Sequence, residues 1–256
     1  MTTQAIHRID LAYPDAAPLF MHFRLGPCRL RVKPSGGNAW IAGTYDDPSG
    51  ALALDTLVVP GGVTIAQRLE MPSLARAALP VLDLEIGTAR PFALTIDAGA
   101  SESTFDLGGL PLSKLDMNLG AGRYEIDFSS PNPFAMSRLQ VGAGAGAITL
   151  RHLANANFAE LRIGAGMSSW ILDLSGDLRR DATARVEAGV TSVEVDVPST
   201  TAARIVTKGF AHGRTVLGAL VADGDALVTP AAKEGKRPLL SVEVTMALGS
   251  VTLRST

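Results

Sequence analysis

The sequence predicts an all-β protein, a single-domain β-solenoid of stacked 22–23-residue rungs with capping strands or hairpins at both ends. Three observations predict it. An Ala/Gly-rich turn followed by an alternating strand recurs in five consecutive segments. Apolar and polar residues alternate on both sides of that turn, the period of a half-buried strand. The repeat is too short for tetratricopeptide or ankyrin units, and the helical pattern those need is absent.

The chain opens MTTQAIHRID, with no basic region leading into an apolar one, so no signal peptide is expected. A weak copy of the repeat spans Phe20 to Val32 (FMHFRLGPCRLRV). It contains Cys28, the one cysteine, placed between apolar residues of a predicted strand, and a structural thiol is expected there. Paired strands are predicted at Trp40–Tyr45, Ala51–Val59 and Val63–Leu69, with turn residues at Asp46–Gly50 and Pro60–Gly62. Leu74–Leu79 suggests a short helix. Ala75 to Ile86 is apolar but is broken by Arg76, Pro80, Asp83 and Glu85, and a membrane span needs about 20 apolar residues. Residues 20–90 are read as an N-terminal cap with the first rungs.

Regular repeats fill residues 91–200. They read LTIDAGASESTFDL from Leu94, MNLGAGRYEIDF from Met117, QVGAGAGAITL from Gln140, RIGAGMSSWILDL from Arg162 and RVEAGVTSVEVDV from Arg185. The glycines of the turn align as Gly99, Gly122, Gly144, Gly166 and Gly189, at spacings of 122−99 = 23, 144−122 = 22, 166−144 = 22 and 189−166 = 23. Glycine suits a corner between two strands, where φ is positive or a neighbouring backbone lies close. After the corner, the expected inward residues are Phe105 and Leu107, Tyr124 to Phe128, Ile148 and Leu150, Trp170 to Leu174, and Val193 to Val197, taken at every second position. Before it they are Leu94 and Ile96, Met117 and Leu119, Leu139 and Val141, Leu161 and Ile163, and Ala184 and Val186. A leucine-rich repeat of this length would need an LxxLxL strand and an Asn or Cys ladder, and neither is expected.

Residues 201–256 are read as diverged rungs and a C-terminal cap. VTMALGSVTL from Val244 adds Gly249 to the glycine column, leaving 249−189 = 60 residues in which a diverged copy is expected around Ile205 to Gly213. Residues 217–237 break the period, and Asp223-Gly224 marks a hairpin turn.

The segments LPLSKLDMNLGAG (Leu110–Gly122), NANFAELRIGAG (Asn155–Gly166) and LSGDLRRDATARVEAG (Leu174–Gly189) resemble the toast-rack domain family. These are bacterial β-solenoids grouped with adhesin-like domains and with the C-terminal domain of LiaF-like envelope-stress regulators. The resemblance runs from about Phe20 to Leu253 and implies a soluble β-solenoid at the cell envelope, with no catalytic residue to carry over.

Composition narrows the function. With Lys+Arg at 23 and Asp+Glu at 25, no basic excess exists to follow a phosphate backbone, and no nucleic-acid partner is expected. His7, His22, His152 and His212 form no HExxH or HxH pattern and are read as structural or solvated. GAGAG at Gly142–Gly146 is read as a corner, because a strand and not a helix follows it. The most notable constellation is an outward row of Asp106, Asp127, Asp173 and Asp196, with Thr149 expected between Asp127 and Asp173 and with Arg162 and Arg185 expected to help neutralise it. Such a row could recruit Ca²⁺, but the preferred reading is a solvated acidic face. Ile171 is expected to point outward beside Asp173.

No catalytic, metal or cofactor residue is assigned, and the binding residues are not named by the sequence. The expected function is a non-enzymatic binding or scaffold module of envelope sensing or adhesion, whose partner is another protein or an envelope component. A polysaccharide-active enzyme using Asp173, Glu194, Asp196 and Arg185 is the first alternative. A self-assembling structural protein is the second, leaving a homo-oligomer open.

Overall fold

A computed structural model describes residues 6–70 and 78–256, with residues 210–212 described by their backbone alone. Leu74–Leu79, expected as a short helix, falls largely outside these residues. Seventeen strands among the described residues join into one sheet. Seven short strands come first: β1 (His7–Leu11), β2 (Leu19–Leu25), β3 (Cys28–Ser35), β4 (Ile41–Asp46), β5 (Leu52–Val59), β6 (Gly62–Leu69) and β7 (Val81–Gly87). Next are β8 (Phe92–Ala98) and β9 (Ser101–Asp106), then four long strands, β10 (Leu112–Asp127), β11 (Met136–Arg151), β12 (Phe158–Asp173) and β13 (Ala182–Val197). The order ends with β14 (Ala202–Gly218), β15 (Val221–Asp223), β16 (Ala226–Val228), the one-turn helix α1 (Pro230–Lys233) and β17 (Leu239–Ser255).

Each long strand is one rung, made of two arms and a corner. In β10, Leu115, Met117 and Leu119 are buried before the corner, and Tyr124 and Ile126 after it. The buried parity changes from odd to even at the corner, so the arms fold over a shared core instead of lying in one plane. Side chains of both arms belong to a single hydrophobic cluster. Neighbouring rungs run parallel and in register, placing Met117 beside Val141, Val141 beside Ile163, Ile163 beside Val186 and Val186 beside Val244. Every inward position expected from Leu94 to Val197 is buried.

The register corrects the glycine column. Leu119 lies beside both Ala98 and Ala143, so Gly120, not Gly122, stands between Gly99 and Gly144. The first two rungs therefore advance by 120−99 = 21 and 144−120 = 24 residues, where 23 and 22 were expected. Gly122 and Gly249 belong to the column two residues later, with Gly122 beside Ser101 and Gly146, and Gly249 beside Thr191. Here close approach requires glycine. Gly146 has φ +123°, and a methyl group on it would sit 1.9 Å from the Gly122 carbonyl oxygen.

Stacking order differs from chain order at both ends. β2 and β3 lie between the β6–β7 rung and the β8–β9 rung. β17 lies between β13 and β14. The expected diverged copy is β14, which forms the outermost full rung. Antiparallel strands close the first end, with β5 on β6, β4 on β7 and β1 on β4. At the other end the β15–β16 hairpin, turning at Gly224, pairs with Arg204 and Ile205 of β14. Beyond Ile205 the outer edge of β14 carries no strand among the described residues. There two core positions turn polar, while Val216, beside Leu253, stays apolar. Arg214, beside Val251, donates to the Thr207 hydroxyl, beside Val244, at 3.3 Å across the two arms.

The return loops are held by asparagines. Asn132 is fully buried; its Nδ2 donates to the carbonyls of Leu112 (2.9 Å) and Ala156 (3.2 Å), and its Oδ1 accepts from the Phe134 amide (2.8 Å). One rung on, Asn155 donates to the Phe128 carbonyl and accepts from the Asp177 amide, both at 2.8 Å. A short asparagine ladder is thus present where none was expected. The bonds to Leu112, Ala156 and Phe128 satisfy carbonyls that the loops would otherwise bury unpaired.

Candidate functional site

The two outer surfaces of the solenoid carry different residues. Arg162 and Arg185 lie side by side on the first arms, and both reach Glu160, at 2.9 Å and 2.6 Å. The aspartates lie on the second arms, across the core. The expected neutralisation of the acidic row by Arg162 and Arg185 is therefore not observed. The expected interruption by Thr149 is also corrected: Arg151 stands beside Asp127 in that column, while Thr149 lies beside Ile171 in the next one. Reading onward, Asp173 lies beside Asp196, and Asp196 beside Arg254.

Each aspartate has local partners. Asp106 accepts from the Ser129 hydroxyl (2.6 Å) and the Gly108 amide (3.0 Å), and Asp173 from the Ser175 amide (2.9 Å). These bonds turn the chain out of the strand and into its return loop. Asp127 meets the His152 ring at 2.7 Å. Asp196 is the least satisfied. Its Oδ1 makes no hydrogen bond, although Arg254 lies 3.4 Å away. Burial pushes its carboxyl up from the ordinary value, Arg254 pulls it down, and Glu194 and Asp173 push it further up. Arg254 also reaches Glu194 at 2.7 Å. Among the described residues no group of three or more His, Cys, Asp or Glu side chains is arranged to hold a metal ion.

The set Asp173, Glu194, Asp196 and Arg185 is not brought together. The three carboxylates share one surface, but Arg185 faces the other and is engaged by Glu160.

On the second arms a trough of about 970 Å³ runs from β1 to Arg151 of β11. Ala42 and Thr44 of β4 supply small side chains to its floor, with the bare backbone of Gly43 between them. Gly43 is obligatory there, since a methyl group would meet the Asp83 carbonyl oxygen at 2.2 Å. Arg8 and Asp10 border one side of β4. On the other side stand two cross-strand ion pairs, Arg31–Asp83 (3.3 Å) and Lys33–Glu85 (2.9 Å). Thr104, Glu125, Asp127 and Arg151 continue the surface. Both charge signs are present, and the paired side chains remain about half exposed, which keeps them available to a ligand. Sequence reading missed this trough, because β1 and β4 join it through antiparallel pairing outside the repeat.

The remaining candidates take structural places. Cys28 is fully buried, and burial pushes its thiol up to about 11, so it stays protonated at neutral pH. His22 meets Asp97 at 2.7 Å, and His7 is exposed on β1. The side chain of His212 lies outside the described residues. Gly142–Gly146 form the corner of β11, and Ile171 is 42 % exposed as expected.

Comparison with known proteins gives one family match. The profile described as "N-terminal domain of toast_rack, DUF2154" matches residues 3–137. No protein of curated function matches the chain. Among solved structures, similarity extends to a "putative cell adhesion protein" from Clostridium sporogenes ATCC 15579, with 10 % identity, 98 % and 99 % of the two chains covered and a TM-score of 0.49. A "putative adhesin" from Bacteroides fragilis NCTC 9343 gives 7 %, 98 % and 98 %, and 0.41. A "putative lipid binding protein" from Parabacteroides distasonis ATCC 8503 gives 13 %, 97 % and 96 %, and 0.39.

Proposed function

This chain belongs to the toast_rack family through its N-terminal domain, and on that premise we propose that it is a non-enzymatic binding module of bacterial envelope sensing or adhesion. The whole of residues 1–256 acts as one domain in this reading, and the trough on the second arms is its binding face. One observation carries the proposal. The trough is built on regular sheet, with small residues on its floor and exposed ion pairs of both signs along its side. Such a surface suits an extended polar ligand, a peptide segment or a charged polymer, which exchanges its own charges with the exposed pairs. Catalysis is disfavoured by what the carboxylates already do. Asp106, Asp127 and Asp173 are committed to turn amides, a hydroxyl or a histidine.

The test is binding of the immobilised protein to purified envelope proteins and envelope polymers, measured by interferometry. The paired variant Arg31→Glu/Lys33→Glu should lower binding at least about tenfold, the scale of losing two charge contacts. Arg162→Glu, on the opposite surface, should leave it unchanged. Equal loss in both variants, or in neither, would remove the trough from the proposal.

A further inference from the structure

The corners of successive rungs carry an exposed apolar ridge. Ala121 lies beside Ala145, Ala145 beside Met167, and Val190 beside Leu248. Ala165 beside Ala188 places Met167 next to Val190 and makes the line continuous. Met167 is 72 % exposed, Val190 55 % and Leu248 50 %. Scattered apolar residues on a surface are ordinary, but three large ones on adjacent rungs are not scattered. Their flanks are small and uncharged: Gly144, Gly166 and Gly189 on one side, Gly146, Ser168 and Thr191 on the other. Parallel ladders engage the backbone through the corner between β11 and β12 and between β13 and β17, and lapse only from Gly166 to Ser168 between β12 and β13, so an apolar contact would strand few amides.

We propose that this corner ridge is a membrane-contact edge, which lays the solenoid along a lipid surface with Met167, Val190 and Leu248 inserted at the interface. It is a site separate from the trough. Shape and size select the occupant. The ridge is convex, one residue wide and about 19 Å long, four steps of about 4.8 Å. A stable protein dimer buries about 800 Å² on each partner, more than a single file of side chains offers. Two copies of a convex ridge do not interlock. A lipid interface deforms around it, and the absence of charge on its flanks removes the cost of burying an ion there. The solenoid then lies with its stacking axis in the membrane plane.

The experiment is flotation of the full chain with zwitterionic phosphatidylcholine vesicles. Wild type should float with the lipid, and high salt should not release it, since no charge attraction is involved. Met167→Asp/Leu248→Asp, two rungs apart so that the new charges do not abut, should lower the bound fraction roughly tenfold or more. An unchanged melting temperature would show that this variant is folded. Val190→Trp should bind more tightly and shift its emission to the blue on contact. Wild type that stays in the soluble fraction overturns the proposal, and so does an Asp variant that floats as well as wild type. Binding that needs anionic lipid and is lost in salt also overturns it, and would assign the contact to surface arginines. A concentration-dependent dimer that the Asp variant abolishes would make a second copy the occupant.

Discussion

Removing the side chain of Asn132 should unfold the protein more readily than any change on its surface. In Asn132→Ala, the buried carbonyls of Leu112 and Ala156 lose their donor, and the Phe134 amide loses its acceptor. The two bonds to carbonyls are buried and the Phe134 bond is only part-buried, so that amide is the group that water reaches most readily. Each stranded carbonyl costs about 1–2 kcal/mol, and the vacated volume adds about 1 kcal/mol. The expected loss is about 3–5 kcal/mol, a large share of the roughly 5–15 kcal/mol typical of folded domains. Asn132→Asp keeps an acceptor for Phe134 but turns oxygen toward both carbonyls, and it should lose at least as much. Urea titration followed by circular dichroism measures this directly. The midpoint should fall while the slope stays constant. A loss below about 1 kcal/mol would refute the reasoning, because it would mean that water restores the bonds.

Three further outcomes are expected. Asp196 has its folded pKa raised by burial, so its stabilising contribution is present below the unfolded value and is lost as pH rises through the folded one. Asp196→Asn should therefore stabilise the protein at pH 7, by about 0.5 kcal/mol, with the gain fading in acid; thermal melts at several pH values check the sign. Within the GAGAG corner, Gly146→Ala should cost about 2–4 kcal/mol, because φ is positive and the new methyl meets a carbonyl. Gly144→Ala should cost within about 0.5 kcal/mol, since its methyl would clear the Gly120 oxygen by 3.8 Å; chemical denaturation of the pair separates the two positions. Arg214→Leu should convert the open end of β14 into an apolar edge and give a mass that grows with concentration in sedimentation. A monomer across the concentration range would show that Arg214 does not guard that edge.

The alternation of side chains made the fold legible. It placed Phe105, Tyr124, Trp170 and Val193 in the core from sequence alone, because burial on one face leaves a period of two. Columns between rungs were less legible. GAG offers two glycines two residues apart, and only the pairing of Leu119 with Ala98 and Ala143 decides that Gly120 joins Gly99. The same two-residue slip put Thr149 where Arg151 stands. Parity changes at the corner, so residues near in sequence, such as Arg185 and Glu194, face opposite sides. Asn132 and Asn155 stand 155−132 = 23 residues apart, the spacing of the repeat, but went unseen because they sit in return loops, outside the alternating strands that carry the pattern. The trough depends on antiparallel pairing of β1 and β4, a long-range choice that periodicity does not encode.

The place of β17 sets a timetable for synthesis. β14 is translated before β17, yet its long ladder is with β17 alone, apart from two residues held by β16. As the chain leaves the ribosome, β13 stands ready to accept a neighbour while residues 202–218 have none in their final position. β14 would fit against β13 by the same parallel ladder, since both match β17 residue for residue. Making that early pairing would leave β17 without its slot. In the folded protein the hairpin, paired to Arg204 and Ile205, and the α1 turn occupy the segment that joins β14 to β17.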